Sequence, residues 1–259
     1  MNQNERRRWL IHSLLEEMPQ YQYPVFPFTA DRQWQLLRSL MNVRPPMPIS
    51  EEFIRIQDAF LKEMTEEKGI VDADSLPACA GDNRLVLWQG DITTLRCDAI
   101  VNAANSQMLG CFSPCHGCID NIIHTMSGVQ LRLACHEQMQ AQGHEEPAGY
   151  AKITPGFNLP AKYVLHTVGP IIDDAVTPEA VALLASCYRS CMELAEQHNL
   201  HSVAFCCIST GVFRFPPEPA AEIAVRTVEE FLRKETCIRR VIFNVFKDND
   251  LEIYQRLLA

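Results

Sequence analysis

Residues 101–128 read VNAANSQMLGCFSPCHGCIDNIIHTMSG: the end of an apolar run, a polar turn, a loop with three cysteines and a histidine in eight residues, and the start of a helical stretch. Cys111, Cys115, His116 and Cys118 are thiolate and imidazole donors at spacings that suit zinc. Zinc takes such ligands tetrahedrally and keeps one position open when the protein supplies only three. Buried free cysteines are common and behave as small hydrophobes, but this density is too high for core filling. The loop is therefore a candidate metal site. Three protein ligands would leave a position for chemistry, whereas Cys115 as a fourth would close the shell; spacing leaves both arrangements open.

On either side of this stretch, from Leu85 onward, short apolar runs alternate with helical ones. Residues 85–89, 99–103, 163–167, 203–208 and 241–246 read as buried strands, with helices at about 120–142, 178–198, 217–234 and 249–258. That alternation indicates a layered α/β domain, and such sheets bind ligands on the loops after their strand ends. Residues 1–80 have a different texture. Ile11, Leu14, Leu15 and Met18 recur at helical spacing, and Trp34, Leu37, Leu40 and Met41 repeat the pattern after Asp31 as an N-cap. A third helix follows Ser50, with Glu51 and Glu52 in its first turn, Phe53, Ile56, Phe60 and Met64 on its buried face, and Gly69 at its end. The proline-rich stretches 19–27 and 45–48 are then connectors. The expected organisation is a helical N-terminal extension, residues 1–80, followed by an α/β domain, residues 81–259.

The net charge of −9, with no basic block beyond Arg6, Arg7 and Arg8, argues against a nucleic-acid partner. A small anion remains compatible, because backbone amides bind phosphate without basic side chains. Eleven cysteines, an odd number without the spacing of a disulfide scaffold, fit thiols kept reduced in a cytosol. No run reaches the ~18 apolar residues of a membrane span. The basic N-terminus leads into a short apolar run broken by His12, Glu16 and Glu17, unlike a signal peptide. A cytoplasmic protein with no membrane partner is expected.

Three strand-to-loop junctions carry polar groups. Asp91 in Gly90-Asp91-Ile92 can accept from an exocyclic amine, the asparagines of Asn102-Ala103-Ala104-Asn105 can hold sugar hydroxyls, and Ser209-Thr210-Gly211-Val212-Phe213 offers closely approachable amides for phosphate. Each alone is a common turn. Together, in this order, and with Val164-Leu165-His166-Thr167-Val168-Gly169-Pro170 and the closing Val245-Phe246-Lys247-Asp248, they resemble the macrodomain family over about residues 85–259. The resemblance implies a three-layer α/β/α macrodomain with a mixed central sheet, here with the helical extension in front. It further implies ADP-ribose as ligand: adenine at Asp91 and the Ile92 amide near Phe246, pyrophosphate across Ser209, Thr210, Gly211, Val212 and Phe213, and the distal ribose near Asn105, Ile119, Asp120 and Asn121.

Most macrodomains carry a glycine run where this chain inserts its Cys/His loop. That departure, with the extension, resembles the zinc-dependent macrodomains, which remove ADP-ribose from proteins. It implies Cys111, His116 and Cys118 as Zn2+ ligands and Asp120, with Asn105, as the catalytic pair. The expected activity is a glycosidase-type hydrolysis that reverses mono-ADP-ribosylation, its partners being ADP-ribose and a mono-ADP-ribosylated protein. The rival readings are an O-acetyl-ADP-ribose deacetylase, a non-catalytic ADP-ribose-binding module, and a structural zinc domain that binds some other nucleotide. At Asp120 helix capping is compatible with proton transfer. His124, four residues on, reads as packing, His166 as a satisfied core histidine, and Cys187, Cys191, Cys206 and Cys207 as core.

Overall fold

A computed structural model describes residues 1–21 and 26–259, so part of the expected connector 19–27 lies outside the described residues. The chain begins with α1 (Gln3–Glu17), α2 (Ala30–Val43) and α3 (Glu51–Lys68). Asn2 and Glu5 close a capping box on α1, and the Ser50 side chain accepts from the Phe53 amide at 3.2 Å to start α3, which ends at Gly69 as expected. The N-cap of α2 is Thr29, not Asp31. Thr29 has extended backbone and its hydroxyl accepts from the Arg32 amide, while Asp31 sits in the first turn, where it complements the helix dipole. The apolar stripes of the three helices, among them Leu10, Ile11, Leu14, Leu37, Phe53, Ile56 and Phe60, meet in a core of their own, which Val129 joins from farther along the chain.

The remainder comprises β1 (Val71–Asp72), β2 (Leu85–Gln89), β3 (Leu95–Arg96), β4 (Ala99–Ala104), α4 (Ile119–Ser127), α5 (Val129–Gln142), β5 (Ala151–Pro155), β6 (Tyr163–Val168), α6 (Pro178–Gln197), β7 (Ser202–Phe205), α7 (Pro217–Leu232), β8 (Arg240–Val245) and α8 (Asp248–Leu257). The main sheet has the order β2-β8-β7-β4-β6-β5, parallel except for β5, which runs antiparallel to β6; β1 and β3 form a separate short parallel pair. Helix α7 packs between α6 and α8, and α4 packs with α5, completing the three-layer α/β/α arrangement. Strands β4, β6, β7 and β8 are buried almost throughout, which is why they read as continuous apolar runs rather than as alternation.

Three expectations need correction. The helix expected over 120–142 is two helices, because Gly128 has φ 97° and breaks the hydrogen-bond ladder between α4 and α5. A Cβ there would meet the side-chain amides of Gln57, Gln130 and Asn158 within 3 Å, so the position requires glycine twice over. Gly128→Ala is expected to lower stability by about 1–3 kcal/mol, measured as the shift of the chemical unfolding midpoint; an unchanged midpoint would refute this account of the break. The strand expected over 203–208 ends at Phe205, and Cys206 to Ile208 already belong to the loop that follows. Strand β5 was not expected: it lies at the sheet edge, contains Lys152, and has only one buried residue.

Because five neighbouring strands are parallel, the loops after β2, β4, β6, β7 and β8 emerge at one edge of the sheet.

Candidate active site and metal centre

At one end of that edge the turn after β2 is tied to the exit of β8. The Gly90 amide donates to the Val245 carbonyl at 3.1 Å, and Asn244 Nδ2 donates to the Gly90 carbonyl at 3.0 Å. Asp91 caps a short 3-10 turn, Ile92–Thr94, its Oδ1 accepting from the Thr93 amide and hydroxyl. Its Oδ2 accepts from Lys68 Nζ at 3.2 Å, at the end of α3, and keeps room for another donor. Ile92 is buried in the core. Phe246, the residue after β8, is 77% exposed beside this turn.

In the middle lies the loop after β7. Ser209 takes a left-handed backbone (φ 65°), and the turn is closed by the Arg214 amide on the Gly211 carbonyl and the Phe215 amide on the Ser209 carbonyl, each at 3.0 Å. Among the described residues no backbone or side-chain acceptor takes the amides of Gly211, Val212 or Phe213, and the buried Ser209 hydroxyl also lacks a partner. Unpaired donors turned out of a loop suit an anion. Gly169, after β6, packs so closely that a Cβ would lie 2.0 Å from Ser209 Oγ; glycine lets the two loops touch. Arg214 is exposed and engaged with Asp173 at 2.9 Å, so anion binding here falls to the amides. Phe213 is half-buried against the core, while Val212 is exposed.

Beyond β7, β4 leads into the Cys/His loop. Asn102 and Asn105 do different work. Asn102 is fully buried and does not face a sugar, contrary to the sequence reading: its Nδ2 donates to Asp120 Oδ1 at 2.8 Å and faces His166 Nδ1 at 3.2 Å. Asn105 is half-buried, with Nδ2 on the Gly110 carbonyl (3.1 Å) and on Asp120 Oδ2 (3.3 Å). Asp120 is thus a buried carboxylate held by two amides. Burial pushes its pKa up to about 6, against the opposing pull of the Asn102 hydrogen bond and the Arg132 charge. His124 Nε2 lies 3.5 Å from Asp120 Oδ1, and burial drives the imidazole well below its usual range, so it is neutral. His166 is fully buried, hydrogen-bonded to Thr154 as well, and lowered to about 3 by burial.

The ligand atoms of Cys111, His116 and Cys118 all lie within 4.8 Å of one another, with Cys111 Sγ 3.6 Å from His116 Nδ1. The cluster faces outward: His116 is exposed and both thiols are half-buried. Cys118 is the N-cap of α4, its Sγ accepting from the Asn121 amide at 3.4 Å, and a helix N-terminus favours a thiolate. Burial nevertheless pushes this thiol up to about 12, outweighing that hydrogen bond, and the adjoining Cys111 raises it further. Two soft thiol donors side by side, with an imidazole at hand, fit a soft or borderline cation. Cys115 is not in the cluster. Its Sγ faces α2, 3.2 Å from Ser39 Oγ and 3.4 Å from the Gln35 carbonyl.

Asn121, expected to meet the ligand, has spent its side chain elsewhere. It is fully buried; Nδ2 donates to the Cys111 and Ser113 carbonyls, and Oδ1 accepts twice from Arg38. No capacity is left for a sugar. Ile119 is half-buried and packs against the core. Sequence reasoning missed Arg38, Ser39 and Asn42 on α2, and Arg132 on α5, whose guanidinium donates to the Leu109 carbonyl at 2.6 Å and lies 4.2 Å from the Phe112 ring centre. The three α2 residues are distant in sequence from every motif, and only tertiary packing brings them to the loop.

The chain matches the Macro domain family over residues 101–224. It is 56% identical to the protein-ADP-ribose hydrolase of Treponema medium, over the whole of both chains. It is 51% identical to the protein of that name from Staphylococcus aureus strain MSSA476, over 96% of this chain and 94% of the relative. Among solved structures it is similar to the Trypanosoma brucei macrodomain in complex with ADP-ribose, at 29% identity and a TM-score of 0.67, over 86% of this chain and 95% of that one. The Oceanobacillus iheyensis macrodomain with ADP gives a TM-score of 0.61 at 39% identity, over 68% and 90%.

Proposed function

From the premise that this chain belongs to the macro domain family and is a hydrolase, we propose that it releases ADP-ribose from mono-ADP-ribosylated protein and does so with zinc. In this reading residues 81–259 are the macrodomain and residues 1–80 its extension. The observation that carries the proposal is the convergence of Cys111, His116 and Cys118 in the loop that runs directly into the buried carboxylate of Asp120. Those three residues would hold the metal. When bound, zinc supplies a Lewis acid that polarises an oxygen or lowers the pKa of water.

The chain's own groups divide the remaining work along the sheet edge. Asp91 Oδ2 accepts from the adenine amine, and the Phe246 ring stacks on the base. The free amides of Gly211, Val212 and Phe213, with the Ser209 hydroxyl and Thr210, hold the pyrophosphate. Asn105 orients the distal ribose, and Asp120 accepts a proton there from a hydroxyl or from water. Asn102 keeps Asp120 Oδ1 fixed while it does so. Asn121 serves by holding the loop.

The direct test is a panel of proteins carrying ADP-ribose on different side chains, together with O-acetyl-ADP-ribose, assayed for release. Turnover of a modified protein is expected. Cleavage of the acetyl ester alone would make the protein a deacetylase, and binding without cleavage would make it a reader. In calorimetry Asp91→Ala is expected to weaken free ADP-ribose by about 1.5–3 kcal/mol, the cost of losing a hydrogen bond to a charged group. Equal affinity in the variant would remove adenine from Asp91.

A further inference from the structure

One face of α2 carries polar groups that meet the Cys/His loop and α4. Gln35, Ser39, Arg38 and Asn42 lie at i, i+4, i+3 and i+7, a single stripe of a helix, beside the apolar stripe of Leu36, Leu37, Leu40 and Met41 that faces the N-terminal core. From this stripe Arg38 Nη2 donates to the His116 carbonyl and to Asn121 Oδ1, each at 2.8 Å, and Arg38 Nε donates to the same Asn121 oxygen at 3.2 Å. Asn42 Oδ1 accepts from the Cys115 amide at 2.9 Å, while its Nδ2 donates to Thr125 of α4 at 3.0 Å. Gln35 and Ser39 meet the Cys115 thiol.

Apart from the Asn42–Thr125 bond, these contacts fall on a candidate ligand or on a residue that holds one. His116 is one itself, Cys115 precedes it, and Asn121 ties the Cys111 and Ser113 carbonyls to the Cys118 thiol through its own amide groups. The loop does not hold this shape unaided. Cys115 has φ 53°, a left-handed conformation that a β-carbon disfavours and that persists only where neighbours over-determine it. The neighbours that do so are on α2.

We propose that α2 of the N-terminal extension is part of the metal centre, with Arg38 the positioning residue that holds His116 and, through Asn121, Cys111 and Cys118 in the ligating arrangement. This rests on the zinc reading above and adds to it a role for the extension. It also assigns Cys115 to α2, leaving three ligands on the metal. Partners that orient metal ligands typically change affinity 10- to 100-fold when removed.

The test is zinc competition against a chromogenic chelator on the full-length chain, alongside thermal melting and calorimetry with free ADP-ribose. Arg38→Met keeps the aliphatic stem and removes every donor. It is expected to weaken zinc at least ~10-fold, with the melting curve of the chelated protein and the affinity for ADP-ribose close to native, because the Asp91 and 209–213 contacts lie elsewhere. Arg55→Ala, on the exposed face of α3, is expected to leave zinc affinity unchanged. If Arg38→Met misfolds, Arg38→Gln decides the same question. Native zinc affinity in the folded variant overturns the proposal while leaving the zinc reading intact. A native protein that binds no zinc overturns both, and that result is read before any variant is made.

Discussion

Asp120→Ala is expected to slow release of ADP-ribose from a modified protein by ~10²-fold or more while free ADP-ribose still binds. The carboxylate is buried and held from two sides by Asn102 and Asn105, so its position is set before substrate arrives. A group fixed in that way contributes chiefly where a proton moves, and an interaction made in the transition state appears in the rate rather than in ground-state affinity. Adenine and pyrophosphate contacts, at the other loops of the edge, should keep the ligand bound. The alanine also leaves the Asn102 donor short of an acceptor inside the protein, a loss of about 1–3 kcal/mol in stability. Asp120→Asn separates the two effects, since its amide oxygen can still accept from Asn102 but takes no proton from water or a hydroxyl. Single-turnover release near the native rate in the folded asparagine variant would exclude Asp120 from the chemistry.

The α/β class was legible because buried parallel strands leave continuous apolar runs and short strand-to-loop motifs. Strand β5 left no such trace: half-exposed at an edge, it is neither apolar throughout nor cleanly alternating. The break at Gly128 was missed because apolar periodicity continues across it, and what demands it, the side chains of Gln57 and Asn158, comes from elsewhere in the chain. The same limit applied at the site. Four donors within eight residues announced a metal loop, yet spacing alone left Cys115 undecided; its position depends on Gln35 and Ser39, some 76 to 80 residues earlier. Asn102 looked like a sugar contact because an asparagine near a strand end offers both donor and acceptor, and Asn121 was expected at the ligand only from the family resemblance. Their burial against Asp120 and Arg38 is a tertiary fact with no local signature.

Removal of zinc is expected to abolish turnover and to leave binding of free ADP-ribose measurable. The zinc ligands and the adenine-end contacts lie apart along one sheet edge, on the loops after β4 and β2, with β8 and β7 between those two strands. Asp91 and the amides of residues 211–213 do not depend on the Cys/His loop for their own hydrogen bonds, so the larger part of the ligand's contact surface should survive chelation. Elemental analysis should find one zinc per chain, lost in Cys118→Ser and kept in Cys115→Ser, whose thiol faces α2. Full zinc in the first and none in the second would reverse the ligand assignment. If the chelated protein still cleaves at the native rate, the metal only shapes the loop, and Asp120 with Asn105 must carry the reaction without it. If instead chelation stops cleavage while the adenine-end contacts keep ADP-ribose bound, the metal belongs to the chemistry of the distal ribose, since a loss confined to the rate marks a group that acts after binding.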